Sequence, residues 1–365
     1  MKIGLYTIHN PYNFGAVLQA FATQKYLESL GHKTEIVLLI SDIELKKLHF
    51  KYFNYNDFKT SLINIFALLS KGARAKIRKS KSFHARLNFS NRYQSIEKIY
   101  DNPPNYDIHL VGSDQVWNLE KGLNQKLLYF LDFIDDSQKK ISYASSFGTE
   151  KINSSFQKKL KKILSRFRSI SVRESDGVKI LESCGLQSEQ VLDPTFLLDS
   201  KDWTELIENK NIVKGEYILY YGFDKVNESQ LILNHLKAKL NIPVIAISAS
   251  LFCPYKVDKF LRGVGPSEFL NLFKNAKFIY TSSFHGVCFA IHFRKSFLTI
   301  KHPTRNSRII NLLNQFSLEK RQISHLSELL NLQNDDFYIN YEPINDLISL
   351  EVAKSKKWLK MNINE

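Results

Sequence analysis

KIGLYTIHNPYNFGAVLQAFATQKYLESLGHKTEIVLL, residues 2–39, holds a complete strand–helix–strand unit. KIGLYT is a short apolar run that ends in a turn-rich loop, HNPYNFG. Residues 17, 18, 21, 26, 27 and 30 then carry apolar side chains close to helical spacing, and Gly31 stops the helix. KTEIVLL is the next strand. A strand, a crossover helix and a second strand imply parallel pairing, and so an α/β fold.

The same grammar recurs along the chain. IHLVG at 108–112, KKISYASSFG at 139–148 and SISVR at 169–173 read as further strands, with a basic amphipathic helix over 152–168. EYILYYGF, IPVIAISAS, KFIYTSS and KSFLTI repeat the pattern between 216 and 300, each followed by a helical segment. A length of 365 residues suits two domains of about 100–200 residues each. The expected architecture is two facing Rossmann-like domains, a glycosyltransferase-B-like arrangement. The first spans 1–175 with a helical basic insert over about 42–100, the second spans 176–342, and a helix over 343–365 crosses back to the first.

Composition narrows the class. Hydrophobic residues at 44% allow a full core, which excludes wholesale disorder. Cys184, Cys253 and Cys288 are too scattered for a disulfide framework or a CxxC metal site, and no metal is expected. MKIGLYTIHN has no signal-peptide layout, and no run reaches the ~18 apolar residues of a membrane span, so a cytoplasmic location is expected. The net charge of +15 favours anionic partners. Nucleic acid is not expected, because no recognition motif accompanies the charge. The stretch 64–81, NIFALLSKGARAKIRKSK, sets an apolar run before cations. It reads either as a peripheral contact with the inner, anionic face of a membrane or as a helix packed on the first domain.

Ligands of open α/β sheets bind at the carboxyl ends of the strands, so polar residues there are the candidates. In the first loop Asn13 can cap the helix and Gly15 can admit a ligand to its N-terminus, with Gln19 one turn on. In VGSDQVWN, Ser113, Asp114, Gln115, Trp117 and Asn118 resemble a sugar site, with Asp114 as a base. A capped turn with a core Trp is the structural alternative. Arg173 ends a strand and suits a carboxylate or phosphate, or else pairs with Glu174. In TSSFHG, Ser282, Ser283 and Gly286 outline an anion cradle into which His285 points as acid or base. Lys301, Arg305 and Arg308 follow as a basic clamp.

Together NFGAVLQA (13–20), VGSDQVWN (111–118), SYASSFG (142–148), SVRE (171–174), VLDPTFLL (191–198), GPSEFL (265–270) and TSSFHG (281–286) resemble the polysaccharide pyruvyl transferase family, in order and over most of the chain. The resemblance implies transfer of pyruvate from phosphoenolpyruvate, a co-substrate, to a sugar acceptor, lipid-linked or not, without cofactor or metal. It implies a catalytic role for His285 and a donor-binding role for Arg173. Many members carry Arg two residues before this His, where this chain has Ser283. The donor charge must then be met elsewhere, with Arg305 and Arg308 as candidates. A nucleotide-sugar glycosyltransferase of the same fold is the alternative function.

Overall fold

The computed structural model describes residues 1–38, 70–93, 95–118, 127–208, 212–222, 228–248, 253–301 and 307–364. Two parallel six-stranded sheets form the frame. The first comprises β1 (Lys2–Tyr6), β2 (Lys33–Ile36), β3 (Ile108–Val111), β4 (Lys139–Ser145), β5 (Ser169–Val172) and β6 (Glu189–Gln190). Their spatial order is β2-β1-β3-β4-β5-β6. The second comprises β7 (Ile218–Tyr221), β8 (Val244–Ile247), β9 (Lys259–Phe260), β10 (Phe278–Thr281), β11 (Ser296–Ile300) and β12 (Gln322–Ile323), in the order β12-β11-β10-β7-β8-β9. The chain reverses direction across the sheet between β1 and β3, and again between β7 and β10. Such a switch point opens a crevice at the strands' carboxyl ends.

The helices are α1 (Phe14–Ser29), α2 (Lys71–His84), α3 (Ile96–Asp101), α4 (Ser154–Leu164), α5 (Ser175–Ser183), α6 (Ser200–Glu205), α7 (Ser229–Leu240), α8 (Pro266–Asn275), α9 (Phe284–His292), α10 (Ser307–Gln315), α11 (Leu326–Leu330) and α12 (Glu342–Asn364). The expected boundary near 175 falls before α5 and β6, yet β6 pairs with β5, so residues 175–190 lie with the first sheet. A two-residue edge strand has no periodicity by which to announce itself. Helix α12 packs on β4. Its Trp358 ring lies 6.2 Å from Tyr143, and Leu359 and Ile363 are buried.

Helix α1 is buried on nearly every side, from Phe14 through Gln24 and at Leu27. A surface helix needs one apolar stripe, whereas one buried all round lies inside a core. The reason is the second half: Phe14 meets Phe269 of α8 at 5.0 Å and Tyr221 of β7 at 6.0 Å. One apolar cluster therefore runs through both halves, from Ile3 and Val17 to Phe273 and Phe289. Pro266 starts α8, and Glu268 accepts the N–H of Gly265 to close the cap.

Within the expected insert, residues 42–69 lie outside the described residues. Helix α2 packs on α8 of the second half. Lys79 donates to the carbonyl of Gly263 at 3.0 Å and pairs with Glu268 at 2.6 Å, and Arg86 pairs with Glu208. Its cations thus partly serve the junction of the halves. Helix α4 buries Leu160, Ile163 and Leu164 and leaves Lys158, Lys159, Lys161 and Lys162 exposed. Among the described residues, no helix is long and apolar enough to cross a membrane.

Candidate active site

The turn after β10 carries His285 in the first turn of α9. Ser283 is the N-cap, and its hydroxyl accepts the N–H of Gly286 at 3.3 Å. Thr281 Oγ1 accepts the N–H of Ser283 and leaves no room for a Cβ at Gly286, only 2.2 Å away. Gly286 therefore serves the packing of its own turn rather than the approach of a ligand. The Ser282 hydroxyl is buried with no hydrogen-bond partner among the described residues.

The imidazole of His285 lies against the other half of the molecule. A Cβ on Gly15 would stand 2.1 Å from His285 Nδ1. Gly15 was expected to admit a ligand, but it admits this ring. Asn13 caps α1 by accepting the N–H of Ala16 at 3.3 Å, so the first turns of α1 and α9 face each other across the junction. His285 is 7% exposed. Its Nε2 has no hydrogen-bond partner among the described residues and lies 3.7 Å from Oδ2 of Asp193.

Asp193 joins this turn to the end of β5. Its Oδ1 caps the short turn Pro194–Leu197 through Thr195 N, and its Oδ2 accepts from Arg173 Nη1 at 2.9 Å. Arg173, 3% exposed, also donates through Nε to Glu174 at 2.8 Å, and its Nη2 lies 4.0 Å from Asp114. Its guanidinium lies over the Phe284 ring at 4.3 Å. One cation is thus shared among three carboxylates. Burial opposes the charge of Arg173, but Glu174, Asp193 and Asp114 outweigh it and hold the guanidinium protonated. Burial likewise works against the Asp193 carboxylate. The nearby His285 and Arg173 overcome it and hold Asp193 well below the usual carboxylate range. Arg173 Nη2 retains no hydrogen-bond partner among the described residues. Sequence reasoning gave Asp193 no role: an Asp before Pro reads as a turn initiator, and only the fold reveals the use of its second oxygen.

The turn after β3 differs. Gly112 adopts φ of +112°, and a side chain there would meet Tyr143 O at 2.1 Å. The Ser113 hydroxyl donates to Ala144 O at 2.8 Å. Asp114 sits at φ of +63°, and its Oδ1 accepts the N–H of Gln115. Trp117 is not a stacking platform for a sugar. It is fully buried against Phe130 and Phe147, with its indole N–H committed to Tyr129 O at 3.0 Å. Asn118 is buried, with its amide beside Gln115 and Gly148. Nor is Gln19 open to an acceptor. It is wholly buried and its Nε2 braces the β1–α1 loop through Thr7 Oγ1 and Ile8 O, both at 2.8 Å.

Of the basic clamp, Arg308 reaches the first half. Its Nη2 and Nε lie 3.2 and 3.3 Å from one end of the Gln115 side-chain amide, which accepts from both when the amide oxygen faces them. Lys301 is exposed at the end of β11, and Arg305 lies outside the described residues. Among the described residues, no group of three or more His, Cys, Asp and Glu side chains is arranged to hold a metal ion. What converges is an imidazole backed by a carboxylate, a guanidinium with one donor unanswered and a second carboxylate, Asp114, with the buried Ser282 hydroxyl in the same turn as the imidazole. That set can bind an oxyanion and move a proton.

A family model described as polysaccharide pyruvyl transferase matches residues 13–303. Among solved structures, a glycosyltransferase from Rickettsia africae is similar over 99% of this chain and 98% of its own, at 11% identity and a TM-score of 0.51. The E. coli heptosyltransferase WaaC bound to an ADP-sugar analogue matches over 83% and 90%, at 11% identity and a TM-score of 0.39. At 11% identity the likeness to the Rickettsia protein shows the fold alone, a glycosyltransferase-B-type pair of α/β units. A search of curated proteins finds no match.

Proposed function

This chain belongs to the polysaccharide pyruvyl transferase family and is a transferase, and on that premise we propose that it moves pyruvate from phosphoenolpyruvate to a sugar of a cell-surface polysaccharide or its precursor. The product on this reading is a ketal on two sugar hydroxyls.

The observation that carries the reading is the set of unanswered buried donors at the junction of the two switch points: His285 Nε2, Arg173 Nη2 and Ser282 Oγ. Each such group costs about 1–3 kcal/mol when left without a partner. An anionic ligand with several oxygens would satisfy all three.

In the proposed mechanism His285 acts as the acid. Its proton goes to the methylene carbon of the donor, and C2 becomes electrophilic. A sugar hydroxyl adds to C2 and yields its proton to a base, for which Asp114 is the candidate. Phosphate leaves with the C2–O electron pair, and the second hydroxyl closes the ketal at C2, its proton passing back to His285. Asp193, 3.7 Å from Nε2, orients the imidazole. Arg173, already facing three carboxylates, aligns them and offers Nη2 to the donor.

The test is donor discrimination. Saturating phosphoenolpyruvate should raise the melting temperature, by about 2.7 kcal/mol of stabilisation at 100 times Kd. A polysaccharide acceptor should then release inorganic phosphate. Stabilisation by a nucleotide sugar alone would make the chain a sugar transferase instead.

A further inference from the structure

Lys76 lies in the second turn of α2, a helix inserted in the first half. Yet its ammonium is 3% exposed and donates to the carbonyl of Ser248 at 2.9 Å, just past the carboxyl end of β8 in the second half. It also lies 5.3 Å from the ring centre of Phe14, the residue before Gly15. Strand β8 neighbours β7, which neighbours β10. The carboxyl end of β8, which the ammonium meets, therefore lies about two strand spacings, ~10 Å, from that of β10, which carries Ser282 and His285; such a span suits a small dianion.

Among the described residues, the charged groups packed around Lys76 include a pair and a lone cation. Lys79 on its own helix and Glu268 on α8 answer each other at 2.6 Å, and Arg262 precedes α8 and packs on Gly72. Arg173 is neutralised several times over by its own carboxylates. The anionic end of a donor between the two switch points needs a further cation. A buried lysine serves as a point charge for phosphate.

We infer that Lys76 is a donor-binding residue: the inserted helix carries its ammonium across the junction to the carboxyl end of β8, where it meets the negative charge of the donor. The inference rests on the phosphoenolpyruvate reading. Burial, the cause acting on this group, lowers the Lys76 pKa to about 7, so its charge is sensitive to pH in the working range.

The experiment compares wild type, Lys76→Met and Lys76→Arg by calorimetric titration with phosphoenolpyruvate, with thermal melts as a check on folding. Loss of a charge-assisted bond predicts roughly tenfold or weaker binding for Lys76→Met, and a higher KM with a smaller change in kcat. Lys76→Arg should keep most of the affinity. As pH rises through about 7 the lysine loses its proton, so wild-type affinity should fall more steeply than that of Lys76→Arg, whose guanidinium stays charged. A merely structural lysine would not produce that difference. Unchanged binding by a folded Lys76→Met overturns the inference and leaves the proposed reaction standing. If Lys76→Met does not fold, equal pH slopes for wild type and Lys76→Arg overturn it. If wild type neither binds phosphoenolpyruvate nor releases phosphate from it, the proposed reaction fails first and the inference with it.

Discussion

The turn after β3 and the turn after β10 each follow a central strand beside a switch point, and both are rich in polar residues. They use them in opposite ways. After β3, Ser113 bonds Ala144 O and the Trp117 indole bonds Tyr129 O. After β10, the Ser282 hydroxyl and His285 Nε2 stay unanswered among the described residues. The lesson is about partners rather than residue types. A polar side chain whose bonds are satisfied by its own fold is scaffolding, and one buried without a partner is available to a ligand.

The sharpest way to test that contrast is His285→Ala. Loss of a general acid predicts a fall of about 10²–10⁴-fold in phosphate release, with the melting temperature nearly unchanged. Near-normal turnover would remove the imidazole from the chemistry. Trp117→Ala should show the reverse, a loss of about 3–5 kcal/mol in denaturant unfolding from an emptied core site. A raised acceptor KM at unchanged stability would instead restore Trp117 to the binding surface. Gly15→Ala probes the contact between halves: its methyl group must displace the His285 ring. Turnover should drop by about 10-fold to 10²-fold, since displacements near 1 Å carry costs of that order. Wild-type activity would mean that the ring has another productive position. The smallest effect is expected for Asn13→Ala, which removes the α1 cap and should cost about 1 kcal/mol in the same unfolding measurement. No change there would show that the tight junction with α9 makes the cap redundant.

Much of the fold was legible because long strands and helices advertise themselves by period. KIGLYT, IHLVG, SISVR, KFIYTSS and KSFLTI each contain an observed strand. The two-residue strands β6, β9 and β12 carry no such signal. The site was legible by position, since each candidate turn follows a strand at its carboxyl end. It was not legible by partner. Nothing local shows that Trp117 faces Phe130, that Gln19 braces Thr7 and Ile8, or that Arg308 turns to Gln115. Asp193 was overlooked for the same reason. Its local duty, capping the turn at Pro194, hides its bond to Arg173 at a distant strand end. Lys76 looked like one more cation in a basic run, and only the packing of α2 on α8 sets it apart.

The burial of α1 on all sides bears on how this enzyme can be dissected. A recombinant fragment ending before β7 would leave Phe14, Val17 and Phe21 without the aromatic wall of α8 and β7, and would be prone to aggregate. Chimeras that exchange the second half for a relative's should therefore keep α1, α2 and α8 from a single parent, because those three helices fit one another as a unit.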